Sequence, residues 1–317
     1  MNEPDSDPVV FHRGECELQT RYGSRALAAA QGPRVIRDHL NEQHRAFYPL
    51  LTQVFLGAAD ADGALWASMR VGDAGFAHAL DPRRLRIDAA ALRHDPVQAA
   101  FAPGTPLGLL GLDLTNRRRN RANGRIETVD AAGITLAIER AFGNCPQYIQ
   151  TRMPVLVRPA MVRSDARDAC ELDVDMARMI VGADTFFIAT QAREVEAGGP
   201  DVSHRGGKPG FVRVDDPRTL TVPDFAGNRL FMTLGNLLLD PRAGLLFVDF
   251  AQGDVLWMSG RATVIFEGAD LASFGGAERL LRYHIEQARY ARGLVPERWT
   301  FNEYSPHLGR TGEWGNR

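Results

Sequence analysis

The chain has 317 residues, 44% hydrophobic and 24% charged, enough for two domains of ordinary size with a core each. Its formal net charge of −2 gives no global field toward nucleic acid or a membrane surface, and no apolar run approaches the roughly 20 residues of a membrane helix. Three widely spaced cysteines (Cys16, Cys145, Cys170) contain no CxxC pair, which excludes a Cys-only metal site within the chain and a disulfide framework.

The first residues, MNEPDSDPVV, lack the basic-then-apolar layout of a signal peptide, so a cytoplasmic location is expected. Residues 1–33 are polar and broken by Gly32-Pro33, which reads as an N-terminal arm. Apolar residues at Val35, Ile36, Leu40 and Phe47 among charges predict an amphipathic helix over 35–48. A strand over 50–60, a turn at 61–63 and a second strand over 64–70 form a hairpin signal. RHDP (93–96) is a turn, GLLGLDL (108–114) a strand, and RRRNRANGR (117–125) a turn before another strand over 134–142.

The second half repeats the order. A helix over 171–182 precedes a strand over 185–193, a Gly-rich loop and DVSHRGG (201–207). A helix lies within 229–241, and strands over 243–250 and 254–266 flank Ala-Gln-Gly as a hairpin. From about Ala277 to Leu294 the composition predicts a helix. Short strands with regular turns and few helices predict a mainly β protein, built as small closed barrels rather than a parallel sheet.

The two halves also match residue by residue. SMRVGDAGFAHALDPRRL (68–85) and SHRGGKPGFVRVDDPRTL (203–220) share nine of 18 positions at a constant offset of 135, among them Ser68/Ser203 and Arg70/Arg205. GLLGLDL (108–114) matches GLLFVDF (244–250), and NGR (123–125) matches SGR (259–261), both at an offset of 136. A period this long is outside the roughly 20–50 residues of solenoids and propellers, so the repeating unit is a whole domain. The expected division is an arm over 1–33, a first unit over 34–160 and a second over 161–317.

No phosphate loop, GxGxxG, HExxH or GxSxG motif is present. SHRGGKPGF (203–211) offers glycines for close backbone approach and two fixed cations, Arg205 and Lys208. It reads as an anion-binding or planar-ligand segment, or as a glycine-rich bend with solvated charges. In PDFAGNRLFMTLGNL (223–237), Gly227-Asn228 precedes a helix-like run, where free N–H groups favour an anion; Asn228 is equally a good N-cap. The first unit has Val71 and Asp73 where the second has Gly206 and Lys208, so its site is the degenerate one. The five arginines of 117–125 read as a solvated hairpin, a nucleic-acid patch lacking interleaved aromatics, or groups reaching into the second unit. Cys145 is either a buried structural cysteine or a low-pKa thiol, and His204 either a proton donor or a hairpin side chain.

Taken in order, FFIAT, DVSHRGGKPGFVRV, TLTVPDFAGNRLFMTLGNLLLDPRAGLLFVDF and GDVLWMSGRATV resemble the flavin-nucleotide-binding branch of the pyridoxamine 5′-phosphate oxidase-like split barrels. The first half, with FGNCPQYIQTR, resembles the companion half of the two-unit proteins of that branch, and the likeness covers roughly residues 40–267. It implies two tandem split β-barrels of Greek-key character, packed as an internal pseudo-dimer, with FMN in the cleft between them. It also implies that Ser203, His204, Arg205, Gly206, Gly207, Lys208, Gly210 and Phe211 line the flavin, with Asn228 and Arg229 near its phosphate and Thr233 and Asn236 on the following helix. Trp257 stands where close relatives often have a Gln, so one polar contact to the cofactor is expected to be missing; the glycine-rich block replaces the Arg–aliphatic–Lys motif of the oxidases themselves, so their vitamin substrate is not expected.

The leading expectation is an FMN-dependent oxidoreductase or electron-transfer protein, with a small-molecule or protein redox partner and a homodimer added to the internal pairing. The alternatives are a binding or sensing protein holding FMN or haem, and a structural two-barrel protein with a vacant site.

Overall fold

A computed structural model describes residues 10–155, 165–193 and 195–315. Two antiparallel sheets dominate. The first contains β1 (Gln53–Ala59), β2 (Leu65–Val71), β3 (Ala77–Asp81), β4 (Arg84–Ile87), β5 (Pro106–Leu112), β6 (Arg119–Val129) and β7 (Ile134–Gly143), in the order β2-β1-β5-β6-β7-β4-β3. A two-stranded ribbon pairs β8 (Thr151–Val155) with β17 (Arg298–Glu303). The second sheet contains β9 (Ala166–Ala169), β10 (Thr185–Ala192), β11 (Gly199–Gly206), β12 (Arg213–Asp216), β13 (Thr219–Phe225), β14 (Arg242–Val248), β15 (Val255–Ile265) and β16 (Ala277–Ala291). Its path is β11-β10-β14-β15-β16-β13-β12, with β9 added beside β16, so the two sheets run through their strands in the same sequence. Neither ladder closes on itself, which corrects the expectation of closed barrels: β2 and β3 are free edges of one sheet, β11 and β12 of the other.

The sheets meet face to face through reciprocal contacts. A Cβ on Gly108 of β5 would lie 2.9 Å from Asp201 Cα and Pro200 O of β11, while one on Gly244 of β14 would lie 2.5 Å from Ala67 N and Trp66 Cα of β2. Each glycine therefore lets a strand of one sheet ride on the backbone of the other. At the centre, Phe55 of β1 and Phe187 of β10 stack at 3.5 Å and 14°, both fully buried. Burying such side chains contributes about 1.5–3 kcal/mol each. Phe187, Val202, Leu246 and Trp257 of the second sheet share one core with Phe55, Leu109 and Leu110 of the first.

Among the described residues six α-helices surround the sheets: α1 (Arg13–Arg21), α2 (Arg25–Val35), α3 (Glu42–Phe47), α4 (Val174–Gly182), α5 (Met232–Leu239) and α6 (Ala269–Ala272). None is long and apolar enough to cross a membrane. Within the predicted arm, α1 and α2 are regular helices; its first nine residues, like the 160/161 unit boundary, lie outside the described residues. The helix expected over 35–48 shrinks to α3, because Arg37 exchanges backbone hydrogen bonds with Ala141 on the end of β7 and Asn41 caps the helix at His44 N.

Two further expectations fail for physical reasons. Residues 277–291 form the strand β16, not the C-terminal helix expected of the second unit. Leu281, Tyr283 and Ile285 are buried in strict alternation. A bulge opposite Ser259/Gly260 then shifts the phase to Ala288 and Tyr290. The bulge turns a period of two into the 281/285/288 spacing of a helix. Similarly, the arginine-rich turn is confined to Asp113–Arg118, and Arg119 onward belongs to β6.

Gly244→Val should destabilise the fold by about 1–3 kcal/mol or more, since backbone atoms of β2 cannot yield as a side chain would. Gly227→Ala, with nothing within 4 Å of the added carbon, should be near neutral. Chemical denaturation of the two variants checks this, and equal midpoints would contradict the reciprocal packing.

Candidate functional site

The first turn of α5 ends in a cleft. Its N-cap position, Phe231, has left-handed backbone (φ 62°) and no side chain caps the helix. The leading amides of Met232, Thr233 and Leu234 lack intrahelical acceptors by helix geometry, and all three residues line the cleft. Asn228 is not the cap: it stands four residues before the first helical residue, and its Oδ1 accepts Leu230 N.

Second-sheet residues form most of the walls, with Ser203, His204, Arg205 and Gly206 from β11 and Pro223, Asp224 and Phe225 from β13. Arg279 comes from β16, and Phe211 from the turn that follows β11. The opposite wall comes from the first half: Arg119 and Arg121 on β6, then Asn144, Cys145, Gln147 and Tyr148. The cleft is open to solvent and has a cavity volume of about 130 Å³.

Positive charge concentrates here. Arg121 is buried, lies 2.9 Å from Asp201 Oδ1, donates to Val202 O at 3.0 Å and also donates to Ser203 Oγ. Thr233 Oγ1 lies 3.1 Å from the same hydroxyl, tying β6, β11 and α5 together. Asp224 is bridged by two guanidinium groups, Arg205 and Arg279, the latter at 2.8 Å. Among the described residues Arg119 hydrogen-bonds only a backbone group, Cys145 O at 2.6 Å. Burial, and then the neighbouring Arg121, pull its guanidinium down to about 9. Arg229 stands at the exposed rim. Five arginines face the cleft, and Asp224, Asp201 and Glu278 offset three of those charges, so the site carries an excess of about two positive charges.

Of the twelve residues expected at the site, Ser203, His204, Arg205, Gly206, Phe211, Asn228, Arg229 and Thr233 line this cleft. Gly207, Lys208, Gly210 and Asn236 do not. Gly207 bonds Asp184 O through its N–H, and Gly210 bonds Val181 O in a left-handed turn (φ 87°). Lys208 closes that turn by accepting Phe211 N. The glycines serve the chain's own packing: a Cβ on Gly206 would lie 2.0 Å from Tyr148 O, so it admits the 144–150 segment. Arg119 and Arg121 come from the arginine cluster, two of whose members thus reach the second sheet. Asp224 lies in the 223–237 segment but is not among the residues expected at the site, Arg279 carries no motif, and their pairing becomes visible only when β13 pairs with β16.

Asn236 anchors the back of α5. His12 Nε2 lies 2.9 Å from its Oδ1, and its Nδ2 donates to Thr190 Oγ1 at 3.0 Å. Gly14 and Gly235 let α1 and α5 approach so closely that a Cβ on Gly14 would lie 2.2 Å from Gly235 O. Burial dominates the titration of this seam, lowering His12 to about 4 and raising Glu15 to about 8.

No protein-family model matches the chain, and no curated protein matches its sequence. Similar solved structures include a Clostridium acetobutylicum protein of the pyridoxinephosphate oxidase family (12% identity, 40% of this chain and 92% of that one, TM-score 0.29). Others are an FMN-binding protein from Syntrophomonas wolfei (13%, 36% and 83%, TM-score 0.28) and a FAD-binding protein from Mesorhizobium loti (14%, 40% and 98%, TM-score 0.26). Each likeness spans less than half of this chain.

The α1–α5 seam predicts a pH dependence. Glu15 is held protonated in the fold, so its contribution is fully present below pH 4.5 and is lost as pH rises toward about 8. His12 is held neutral, so its contribution is lost as pH falls from 6.5 through about 4. Glu15→Gln should flatten the alkaline limb alone. Denaturant midpoints at pH 5, 7 and 8.5 check this, and an unchanged slope would contradict burial of Glu15.

Proposed function

We propose that the chain is a flavin-binding protein of the pyridoxamine 5′-phosphate oxidase-like kind, holding one FMN per chain between two related units. On this reading the units span 34–160 and 161–317 and pack as an internal pseudo-dimer of split barrels. What carries the proposal is the meeting, in one cleft, of an uncapped helix N-terminus with an excess of guanidinium groups, beside aromatic walls from Phe211, Phe225 and Phe231. A phosphate suits the amides and arginines; a planar ring suits the aromatic walls. The sequence resemblance over 203–237 supports the same ligand.

Bound there, a flavin would supply hydride and electron transfer. The chain's own part is to bind and orient it. Arg119, Arg205 and the first amides of α5 would hold the charged end. Ser203 and Thr233 lock β11 to α5, so that these donors stay fixed relative to one another. An oxidoreductase or electron-transfer role follows from that chemistry, with its redox partner supplied from outside the chain.

The matching place in the first half is filled by side chains. Arg70, the counterpart of Arg205, is 1% exposed and bound to Asp95 and Gln98, and Ser68 Oγ donates to Asp95 at 2.7 Å. Trp257 stands at an offset of 136 from Arg121 and is fully buried in the first sheet's core. Hence one site per chain.

Purified protein should show flavin absorption and bind FMN at a stoichiometry of one. Arg119→Gln and Arg205→Ala should each weaken binding by roughly 10- to 100-fold, the scale of a charge-assisted hydrogen bond. Arg70→Ala should lower stability and leave the Kd unchanged. Equal loss from Arg70→Ala and Arg205→Ala would sink the one-site reading, and a Soret band in place of flavin absorption would assign haem instead.

A further inference from the structure

His204 is 5% exposed and lines the cleft, yet among the described residues neither ring nitrogen has a hydrogen-bond partner. Its surroundings explain why the chain does not satisfy it. The ring packs edge-on against Phe187 at 5.8 Å, which is apolar, and the charged groups acting on it are the guanidiniums of Arg119, Arg152 and Arg205. Burial, reinforced by those three cations, holds the imidazole neutral far below its ordinary range. A neutral imidazole offers one N–H and one lone pair, and here no protein group fixes which nitrogen carries the proton. Folded proteins rarely leave such a group unpaired, because its lost hydration is not returned elsewhere.

We infer that His204 is the residue that reads the uncharged, hydrogen-bonding edge of the ligand's ring, with the ligand selecting its tautomer. This rests on the flavin reading and adds a division of labour to it. The arginines and α5 amides bind the phosphate, whereas His204 binds a neutral polar atom and discriminates among planar ligands by the hydrogen bond they complete. An unpaired group in the empty site becomes a paired one in the complex, so His204 has opposite effects on the two states. That sign reversal separates it from a residue that merely supports the fold.

The test uses the full chain, freed of ligand, titrated with FMN and with riboflavin, and melted without ligand. His204→Phe should raise the melting temperature of the empty protein and weaken both ligands by the same factor, at least ten-fold. Arg119→Gln should weaken FMN but not riboflavin. His204→Gln, which restores a donor and an acceptor, should bind FMN within a few-fold of wild type. Unchanged affinity in His204→Phe would overturn the assignment, as would loss of affinity together with a lower melting temperature. Failure of the wild-type protein to bind either ligand would instead bring down the flavin reading, and the role of His204 with it.

Discussion

The contact on which the rest of the molecule depends is the face-to-face meeting of the two sheets at Gly108, Gly244 and the Phe55–Phe187 stack. Without side chains at those glycines, β5 can lie on β11 and β14 on β2. That brings β6 of the first half within reach of β11 of the second, placing Arg121 against Ser203 and Arg119 beside His204. The cleft is therefore a property of the seam. Neither half contains it alone, since its cations come from both sides and its helix terminus from one.

Electrostatics then shapes what the seam can hold. Two buried carboxylates, Asp201 and Asp224, meet guanidinium groups here, Asp201 one and Asp224 two. Buried pairs of this kind are weak sources of stability, but removing one partner is expensive. They fix Arg121, Arg205 and Arg279 in place before any ligand arrives. Preordered donors lose little conformational freedom on binding, which is how a small site can be selective without many contacts.

Much of this was legible in the sequence, and the failures were local. The β1–β2 and β14–β15 hairpins, α4 and the position of α5 could be placed because alternation and turn residues agree there. The sequence points to 203–211 as a ligand segment; in the fold Ser203–Gly206 and Phe211 line the cleft, while Gly206 and Gly207 also make room for Tyr148 and Phe211. The strand β16 was concealed by one bulged residue that counterfeits helical spacing. Asp224 and Arg279 were invisible because their meeting is 55 residues apart in sequence and depends on the β13–β16 register. Arg119 and Arg121 are conspicuous as charge, yet only the seam shows why Arg121 is buried and Arg119 half-buried.

Trp257 and Arg121 occupy corresponding positions on β15 and β6 yet do opposite things: one fills space, the other faces a cleft. In an assembly of two identical chains that arrangement is forbidden, because every substitution is made twice and both clefts must change together. In the two-unit arrangement proposed above, covalent linkage removes the restriction. One cleft can solidify into core and accept bulky apolar side chains, while its counterpart keeps the cations and the vacant volume. On that reading a linked pair can divide labour internally: one half acts as a rigid abutment, and the other is free to vary its cleft without unsettling the partner that supports it.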